Sequence, residues 1–377
     1  MTDDRVLIVG AGIAGLTLAR ALHRRGIEAE IVERADAPPR TGTGMYLPAN
    51  GVHALDHLAL AAPLIPKGAI NRRRRFLTAE GRTLFEIDLV DFWGPDRPSL
   101  GVRHTDLHDV LLAGAAGVPI RRGVTVDVLK PNADGVRVVF DDGTAGRFAL
   151  VVGADGLRSS VRGMLGEGPT VTPNDVASAS WRFVTTCPDS VDCWTLLGGA
   201  GSLFLMVPIG GGRAYCFAGV NARGKVVNRP DHGRLLAMFE DYADPVPEVL
   251  ATLEGPEQLY HSLLEDLSVP TWGRGRAVLV GDAAHAMLPS MAQGAALATE
   301  DAIVLADLLA ERRDWSDAAE RLGARRGERV SWVMEHTNRQ TRMLTLPYAL
   351  RKAVMRLAGE KVWKRSFSPL REPVWRV

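Results

Sequence analysis

The chain has 377 residues, 46% hydrophobic and 24% charged, an ordinary globular mixture. That mixture excludes a disordered tail, a collagen and a disulfide knot, and leaves room for two or three domains. Forty-five Lys and Arg against 44 Asp and Glu give a net charge of +1, so bulk charge offers nucleic acid no general hold. Only six of the 45 cations are Lys, which reads as codon bias before chemistry. Cys187, Cys193 and Cys216, with no C-x-x-C spacing, build no disulfide framework and fit a reducing compartment. Asp3 and Asp4 precede the first apolar run, where a secretory signal carries positive charge. No apolar run is long enough for a membrane span, so the expected location is the cytoplasm.

In chain order, Val6–Val9 is a continuous apolar run, the mark of a buried parallel strand. Leu16, Leu18, Ala19 and Leu22 follow with helical spacing, and Arg24-Arg25-Gly26 closes that helix. Ile27–Val32 reads as a second strand ending at Glu33. A loop-rich stretch leads to strands with turns over about 70–97 and a helix from Asp106 to Ala115. Strands are expected at Val124–Val128, Val136–Phe140 and Phe148–Val152, with Asp141-Asp142-Gly143 as a hairpin turn. Over 171–272 short alternating runs predict an antiparallel sheet: Ser180–Thr185, Cys193–Leu197, Ser202–Pro208 and Ala214–Val220. A strand at Ala277–Val280 then precedes a long helical stretch to Leu309. The remainder is helical, with Val330, Val333, Met334, Thr337, Thr341 and Leu344 on one face.

Gly10-x-Gly12-x-x-Gly15 sits between a strand and a helix, with Glu33 at the end of the next strand. Gly10 permits the tight turn, Gly12 lets backbone approach a pyrophosphate, and Gly15 lets helix and strand pack closely. The helix N-terminus offers free N–H groups to the phosphates, and Glu33 can accept from a ribose hydroxyl. This fingerprint alone leaves NAD and FAD open. Two later segments narrow it: Asp155-Gly156-x-x-Ser159-x-x-Arg162 after one strand, and Gly281-Asp282-Ala283-Ala284-His285 after another.

With these three motifs in this order and spacing, the chain resembles the single-component, group A flavoprotein monooxygenases, the family of salicylate and para-hydroxybenzoate hydroxylases. The resemblance implies an α/β (α+β) fold: a Rossmann-like FAD-binding domain, an inserted antiparallel-sheet substrate domain and a C-terminal helical segment. It divides the chain into 1–69, 98–170 and 273–315 for FAD, 70–97 and 171–272 for substrate, and 316–377 for the helical segment. It implies FAD as cofactor, NADH or NADPH as electron donor, and O2 and an aromatic or polycyclic small molecule as substrates. The reaction implied is hydroxylation or epoxidation through a C4a-hydroperoxyflavin, in a monomer or homodimer. An FAD-dependent dehydrogenase or reductase on the same fold, without oxygen insertion, is the alternative.

Residue by residue, the resemblance assigns Gly10, Gly12, Ala14 and Gly15 to the pyrophosphate, Glu33 to the adenosine ribose and Arg34 to the adenine side. Arg103 would contact the flavin, Val126 the adenine through its backbone, and Asp155 the cofactor from the second motif. Asp282 would bond the ribityl or pyrophosphate side. Pro289, Gly294 and Ala295 would line the isoalloxazine, whose anionic reduced form a helix N-terminus stabilises. Relatives carry Gly where this chain has Ala292. No protein nucleophile is expected; His104, His285 and Gln293 are candidates for polar or proton-relay roles.

On the middle sheet, Trp181, Phe183, Phe204, Met206, Tyr215 and Phe217 are the candidate substrate contacts. Alternation puts Trp181 and Phe183 on one face and Arg182 on the other. Only one full dinucleotide fingerprint is present, so a second domain for NAD(P)H is not expected. His53/His57 and His104/His108 have i,i+4 spacing but not the H-E-x-x-H form, and no metal is expected. Arg72–Arg75 reads as a strand whose side chains alternate in solvent. Ser159 and Ser290 lack the G-x-S-x-G elbow of a hydrolase, and the three cysteines read as small core residues.

Overall fold

Val6–Val9 forms β1 with every side chain buried, and leads through helix α1 (Ile13–His23) to β2 (Ala29–Glu33). This computed structural model describes residues 4–38, 43–132, 134–166, 172–173, 179–220, 232–267, 269 and 271–375. The first half continues with β3 (Gly44–Leu47), α2 (Ala49–His57), α3 (Ala61–Leu64), β4 (Ala69–Asn71), β5 (Arg73–Thr78), β6 (Thr83–Asp88), α4 (Leu89–Trp93), β7 (Ser99–Arg103) and α5 (His104–Gly114). Then come β8 (Ile120–Arg122), β9 (Val126–Asn132), β10 (Gly135–Phe140), β11 (Ala145–Phe148), β12 (Leu150–Gly153) and α6 (Ser160–Met164). The second half gives β13 (Thr172–Pro173), β14 (Ala179–Thr186), β15 (Trp194–Gly198), β16 (Ser202–Pro208), β17 (Arg213–Val220), α7 (His232–Phe239) and α8 (Val246–Leu250). It ends with β18 (Tyr260–Leu263), β19 (Glu265–Asp266), β20 (Gly273–Arg274), β21 (Ala277–Leu279), α9 (Asp282–His285), α10 (Gly294–Glu311), α11 (Ala318–Arg342) and α12 (Tyr348–Phe367).

Two large sheets organise these elements. One has the order β20-β21-β12-β1-β2-β8 and is parallel except at β20. Its apolar strands are sandwiched between layers, as continuous Val/Leu/Ile runs require. The chain winds outward from β1 in both directions, so the β1/β12 junction is the topological switch point where open α/β sheets bind ligands. The other sheet has the order β18-β14-β17-β16-β15-β5-β6. A small sheet, β3-β7-β4, lies between the two, with β3 against β17 and both β4 and β7 against β16.

Three expectations are corrected. The second sheet is mixed rather than antiparallel, because β15 runs parallel to β5. The stretch 171–272, read as a sheet, also holds helices at 232–239 and 246–250, where Leu235, Phe239, Val246 and Val249 bury one helical face each against that sheet. Residues 69–71 pair with β7 rather than with the substrate sheet, so the division at 70 cuts through β4. The division at 170/171 falls outside the described residues.

Candidate functional site

The three motifs follow three adjacent parallel strands. The glycine fingerprint leaves β1, the Asp155 motif leaves β12 and the Asp282 motif leaves β21. Their backbones touch. Gly10 has φ +109°, and a Cβ there would come within 2.5 Å of the Ala154 carbonyl oxygen and 3.1 Å of the Asp155 Cα. A Cβ on Gly15 would collide with the Gly10 carbonyl oxygen. Gly281 has φ +58°, and its Cβ position is 3.0 Å from the Ala14 Cβ and 3.2 Å from the Ala298 Cβ. Ala14 therefore faces Gly281 across a helix–loop contact.

Gly12 differs from its neighbours. A Cβ there meets nothing within 4 Å, and the N-terminus of α1 that it caps receives no side-chain hydrogen bond. That is an open cradle of uncapped N–H groups, which suits an anion. Glu33 is half-buried beside it: Oε2 accepts from the Ala11 N–H at 2.7 Å and Oε1 from the Ala35 N–H at 2.9 Å. A carboxylate has about four acceptor positions, so capacity remains for ribose hydroxyls. Arg34 is exposed next to it. Val126 is a buried core residue of β9; it is the Val124 N–H, two residues earlier, that bonds the Glu33 carbonyl at 3.2 Å.

The second motif is a stitch. Asp155 accepts from Ser159 Oγ, Ser160 N, Ser160 Oγ and Val161 N at 2.5–3.2 Å, holding the first turn of α6. Arg162, 5% exposed, donates to the Leu157 carbonyl at 2.7 Å and the Ala283 carbonyl at 2.9 Å. It thus ties the second motif to the third. Asp282 opens α9 with an exposed side chain; desolvation by the surrounding protein raises its carboxyl pKa, with His285 pulling the other way. Its Oδ1 lies 3.9 Å from the Cβ position of Gly294, the first residue of α10. The start of α10, uncapped by any side chain, brings Gly294 and Ala295 beside that carboxylate, and Pro289 is exposed on the same loop. Ala292 holds φ +53°, a left-handed conformation costing about 1 kcal/mol without glycine.

The three proton-relay candidates separate. Gln293 is buried and exchanges side-chain hydrogen bonds with Asn50 at 2.9 and 3.2 Å, locking α2 to α10. His285 is buried, with Nε2 2.6 Å from Asp301 Oδ2. His104 starts α5, and its Nδ1 is buried without a partner among the described residues. Burial, then His108, lowers its pKa. His108, one turn on, places Nε2 3.1 Å from the Ala11 carbonyl oxygen of the fingerprint. Arg103 is exposed at the end of β7, where it registers with Gly44 of β3. His53 and His57 pack against the ring of Trp375.

Four of the six aromatic-pocket candidates need correction. Trp181, Phe183, Phe204 and Met206 share one face of the second sheet with Cys216 and Ala218. That face is the core under α7 and α8, with all four side chains at most 1% exposed. Tyr215 and Phe217 occupy the opposite face with Leu205, Val207 and Arg182, packed toward the first sheet. Tyr215 Cβ lies 2.5 Å from the Cβ position of Gly44, and burial pushes its phenol up to about 12. Arg182 lies over the rings of Phe217 and Tyr260 at 5.5 and 5.8 Å, and its buried Nε has no partner among the described residues.

Arg74, expected in solvent, is 2% exposed on the same face. Its guanidinium sits 3.9 Å over Trp194 and 5.1 Å over Tyr46, with Trp363 and Phe367 of α12 behind. Arg73 and Arg75 point the other way and pair with Glu86 and Asp192. The alternation signal was in the sequence; which face was buried was not.

These residues fit FAD. The open Gly12 cradle, the acceptor capacity of Glu33, the exposed Asp282 and the α10 N-terminus without a side-chain cap belong to loops that leave adjacent strands at the switch point. Residues 3–337 match the family model described as "FAD binding domain". The chain is 34% identical over 334 residues to aurachin C monooxygenase/isomerase of Stigmatella aurantiaca, covering 88% of this chain and 87% of that one. It is 35% identical over 311 residues to 2-heptyl-3-hydroxy-4(1H)-quinolone synthase of Pseudomonas aeruginosa, covering 80% of each. The crystal structure of Klebsiella pneumoniae HpxO with FAD and uric acid superposes with a TM-score of 0.89 over 98% of each chain, at 24% identity, a likeness of fold.

Proposed function

Because the chain belongs to the FAD-dependent flavoprotein monooxygenases, we propose that it hydroxylates a fused heteroaromatic ring held against the Tyr215–Phe217 face of the second sheet. One observation carries the reading: three motif loops leave three adjacent strands at one end, and α5, whose His108 reaches Ala11 of the first loop, continues from β7, the neighbour of the β3 strand on which Tyr215 packs. The fused ring is favoured by the relative named for a 3-hydroxy-4-quinolone, at 35% identity, and by a wall of Tyr215, Phe217, Leu203 and Leu205.

When bound, FAD supplies the redox chemistry, accepting a hydride from NAD(P)H and activating O2 for transfer to the ring. The chain's own groups bind and orient. The Gly10–Gly15 loop and α1 N-terminus hold the pyrophosphate, Glu33 the ribose, and Asp282 the ribityl side. Arg34 and Arg103, both exposed, complete the cofactor contacts, whereas Val126 lies in the core and Asp155 holds the first turn of α6. Pro289, Gly294 and Ala295 present the α10 N-terminus to negative charge on the reduced ring. Tyr215, protonated at neutral pH, acts as a hydrogen-bond donor and not as a base. Arg182 supplies positive charge for a ring oxygen that becomes anionic. Among the three candidates we assign proton uptake to His104, whose buried Nδ1 has no partner among the described residues; Nε2 of His285 is held by Asp301 and Gln293 by Asn50. We place the protein in the cytoplasm as a monomer or homodimer; its three cysteines are free, and no described helix is long and apolar enough to cross a membrane.

The test is anaerobic reduction of the FAD-loaded protein by NADH and by NADPH, with and without a 2-alkyl-4-quinolone or 4-hydroxybenzoate. Faster flavin bleaching with the quinolone, and 18O from O2 in its product, is the expected result. NAD(P)H consumption with an oxidised but unoxygenated product would instead establish the dehydrogenase alternative.

A further inference from the structure

Six large hydrophobic side chains are exposed among the described residues, and four of them lie on α12: Leu350, Val354, Leu357 and Val362. Leu357 is the extreme, at 87%. Leu350, Val354 and Leu357 recur at i, i+4 and i+7, so they form one stripe over two turns, with the exposed Ala353 beside it. The opposite face of α12 does the packing. Trp363 and Phe367 are buried behind Arg74, and a Cβ on Gly359 would collide with the Phe85 ring. Tyr348 Oη donates to the Gly198 carbonyl at 2.9 Å, and Arg351 to the Gly199 carbonyl. A surface helix needs one apolar stripe to join its fold. The outer stripe of α12 is a second one, turned to solvent.

Charge says what covers it. Lys361 and Arg365, both exposed, continue the outer face toward the C-terminal end of the helix, and Arg356 is exposed on its flank. Three of the chain's six lysines, Lys352, Lys361 and Lys364, fall on this one helix, although Arg is the usual cation elsewhere in the sequence. Glu360 is the single carboxylate of α12 and pairs with Lys364 at 2.8 Å; Asp91 of α4 lies 4.0 Å from the same amine. That leaves Arg356, Lys361 and Arg365 without an ion pair among the described residues.

Protruding leucines beside unpaired cations match the surface of an anionic bilayer. The apolar side chains enter the acyl boundary, while the long Lys and Arg stems let their heads stay at the level of the lipid phosphates. A second copy fits less well, because a two-fold contact through this face brings the same cations together. We propose that the outer face of α12 docks the protein on a phospholipid bilayer that contains anionic lipid. The attachment is peripheral: no described helix is long and apolar enough to cross a membrane. Docking would set α12 between the bilayer and the Arg74 cage, since the inner face of the same helix supplies Trp363 and Phe367 to that cage. The inference does not depend on the substrate of the flavin reaction.

The test is co-sedimentation of the FAD-loaded full chain with vesicles of phosphatidylcholine alone, or of phosphatidylcholine with about 30% phosphatidylglycerol. Partitioning at least about tenfold stronger onto the anionic vesicles, weakened by added salt, is the expected result. Leu350→Ser with Leu357→Ser should lower that partitioning at least about tenfold by removing the inserted side chains. Lys361→Glu with Arg365→Glu should abolish the preference for phosphatidylglycerol. All four positions are outside the FAD site, so FAD content and the flavin spectrum should persist in both variants. Failure to bind the anionic vesicles, equal binding to the two vesicles, or binding that survives the paired Leu substitutions overturns the proposal. A chain that binds poly-glutamate but not vesicles also overturns it, in favour of an acidic protein partner. So does a dimer in the ultracentrifuge that Leu357→Ser dissociates, since the stripe is then an interface between copies.

Discussion

At the residue scale, Gly12 and Gly15 look equivalent in the motif but are small for different reasons. Gly15 is small because the Gly10 carbonyl occupies its Cβ position; Gly12 is small although its surroundings are open. Gly15→Ala is therefore expected to destabilise the apoprotein by about 3 kcal/mol or more through backbone displacement. Gly12→Ala, at an extended φ of −81°, should leave the apoprotein midpoint within about 0.5 kcal/mol in urea and weaken FAD at least about tenfold. Equal losses in both properties for both variants would sink this distinction. His104 gives a pH prediction. Its burial lowers its pKa below the ordinary 6.5, so the imidazole is neutral and able to accept a proton at neutral pH. As pH falls through that lowered value the ring protonates, and turnover should fall along an acidic limb. His104→Gln should remove the limb and lower kcat by about 10²-fold while KM changes little. A limb that persists in His104→Gln would assign it to another group. The fingerprint glycines and Glu33 were readable from spacing, because backbone approach to a pyrophosphate restricts residue type locally, whereas the reading of Asp282 came from the family resemblance. The partners of His285, Gln293 and Arg162 were not, because each bond spans distant stretches of chain: 16, 243 and 121 residues.

At the element scale, the second sheet carries an apolar pattern on both faces. Trp181, Phe183, Phe204 and Met206 are packed beneath α7 and α8, while Tyr215 and Phe217 meet the first core. Phe204→Ala should cost about 3–5 kcal/mol in urea unfolding with KM little changed in whatever enzyme folds. Phe217→Ala, 7% exposed on the other face, should raise KM for the ring substrate and cost less stability. The reverse pattern would place the substrate beyond α7 and α8. The period-2 signal established which side chains share a face. It was silent on which face joins the first core, since a sheet buried on both sides has no polar face to orient it. The helices α7 and α8 were missed for a related reason: short helices set among strands leave little periodic signal.

At the scale of the whole molecule, a buried ionic cluster joins the C-terminal helices to the FAD-binding part. Arg326 contacts Glu300 and Asp301 at 2.8 Å, and Arg329 forks onto Glu300 while also donating to the Pro369 and Glu372 carbonyls. Burial raises the Asp301 pKa, but His285 and Arg326 outweigh it and hold the carboxyl at about 2. Its folded value lies below its ordinary 3.8, so its stabilisation is fully present above about pH 4 and is lost as pH falls toward 2. The contribution is on the order of 2 kcal/mol, measurable as the slope of urea stability against pH. Asp301→Asn should flatten that slope between about pH 4 and 2. Arg326→Leu should cost about 3–5 kcal/mol at pH 7 by leaving two carboxylates uncompensated. A slope unchanged in Asp301→Asn would remove the cluster from acid sensitivity. The sequence by itself determined the order of the elements around β1, the three cofactor motifs and the family, because each depends on residue type at short spacing. Only the tertiary structure decided which face of the second sheet packs into the core of the first, that Arg74 lies in an aromatic cage, and that Gly323 and Gly327 border an open groove with His285. Those facts rest on packing between segments far apart in the chain, which local pattern does not encode.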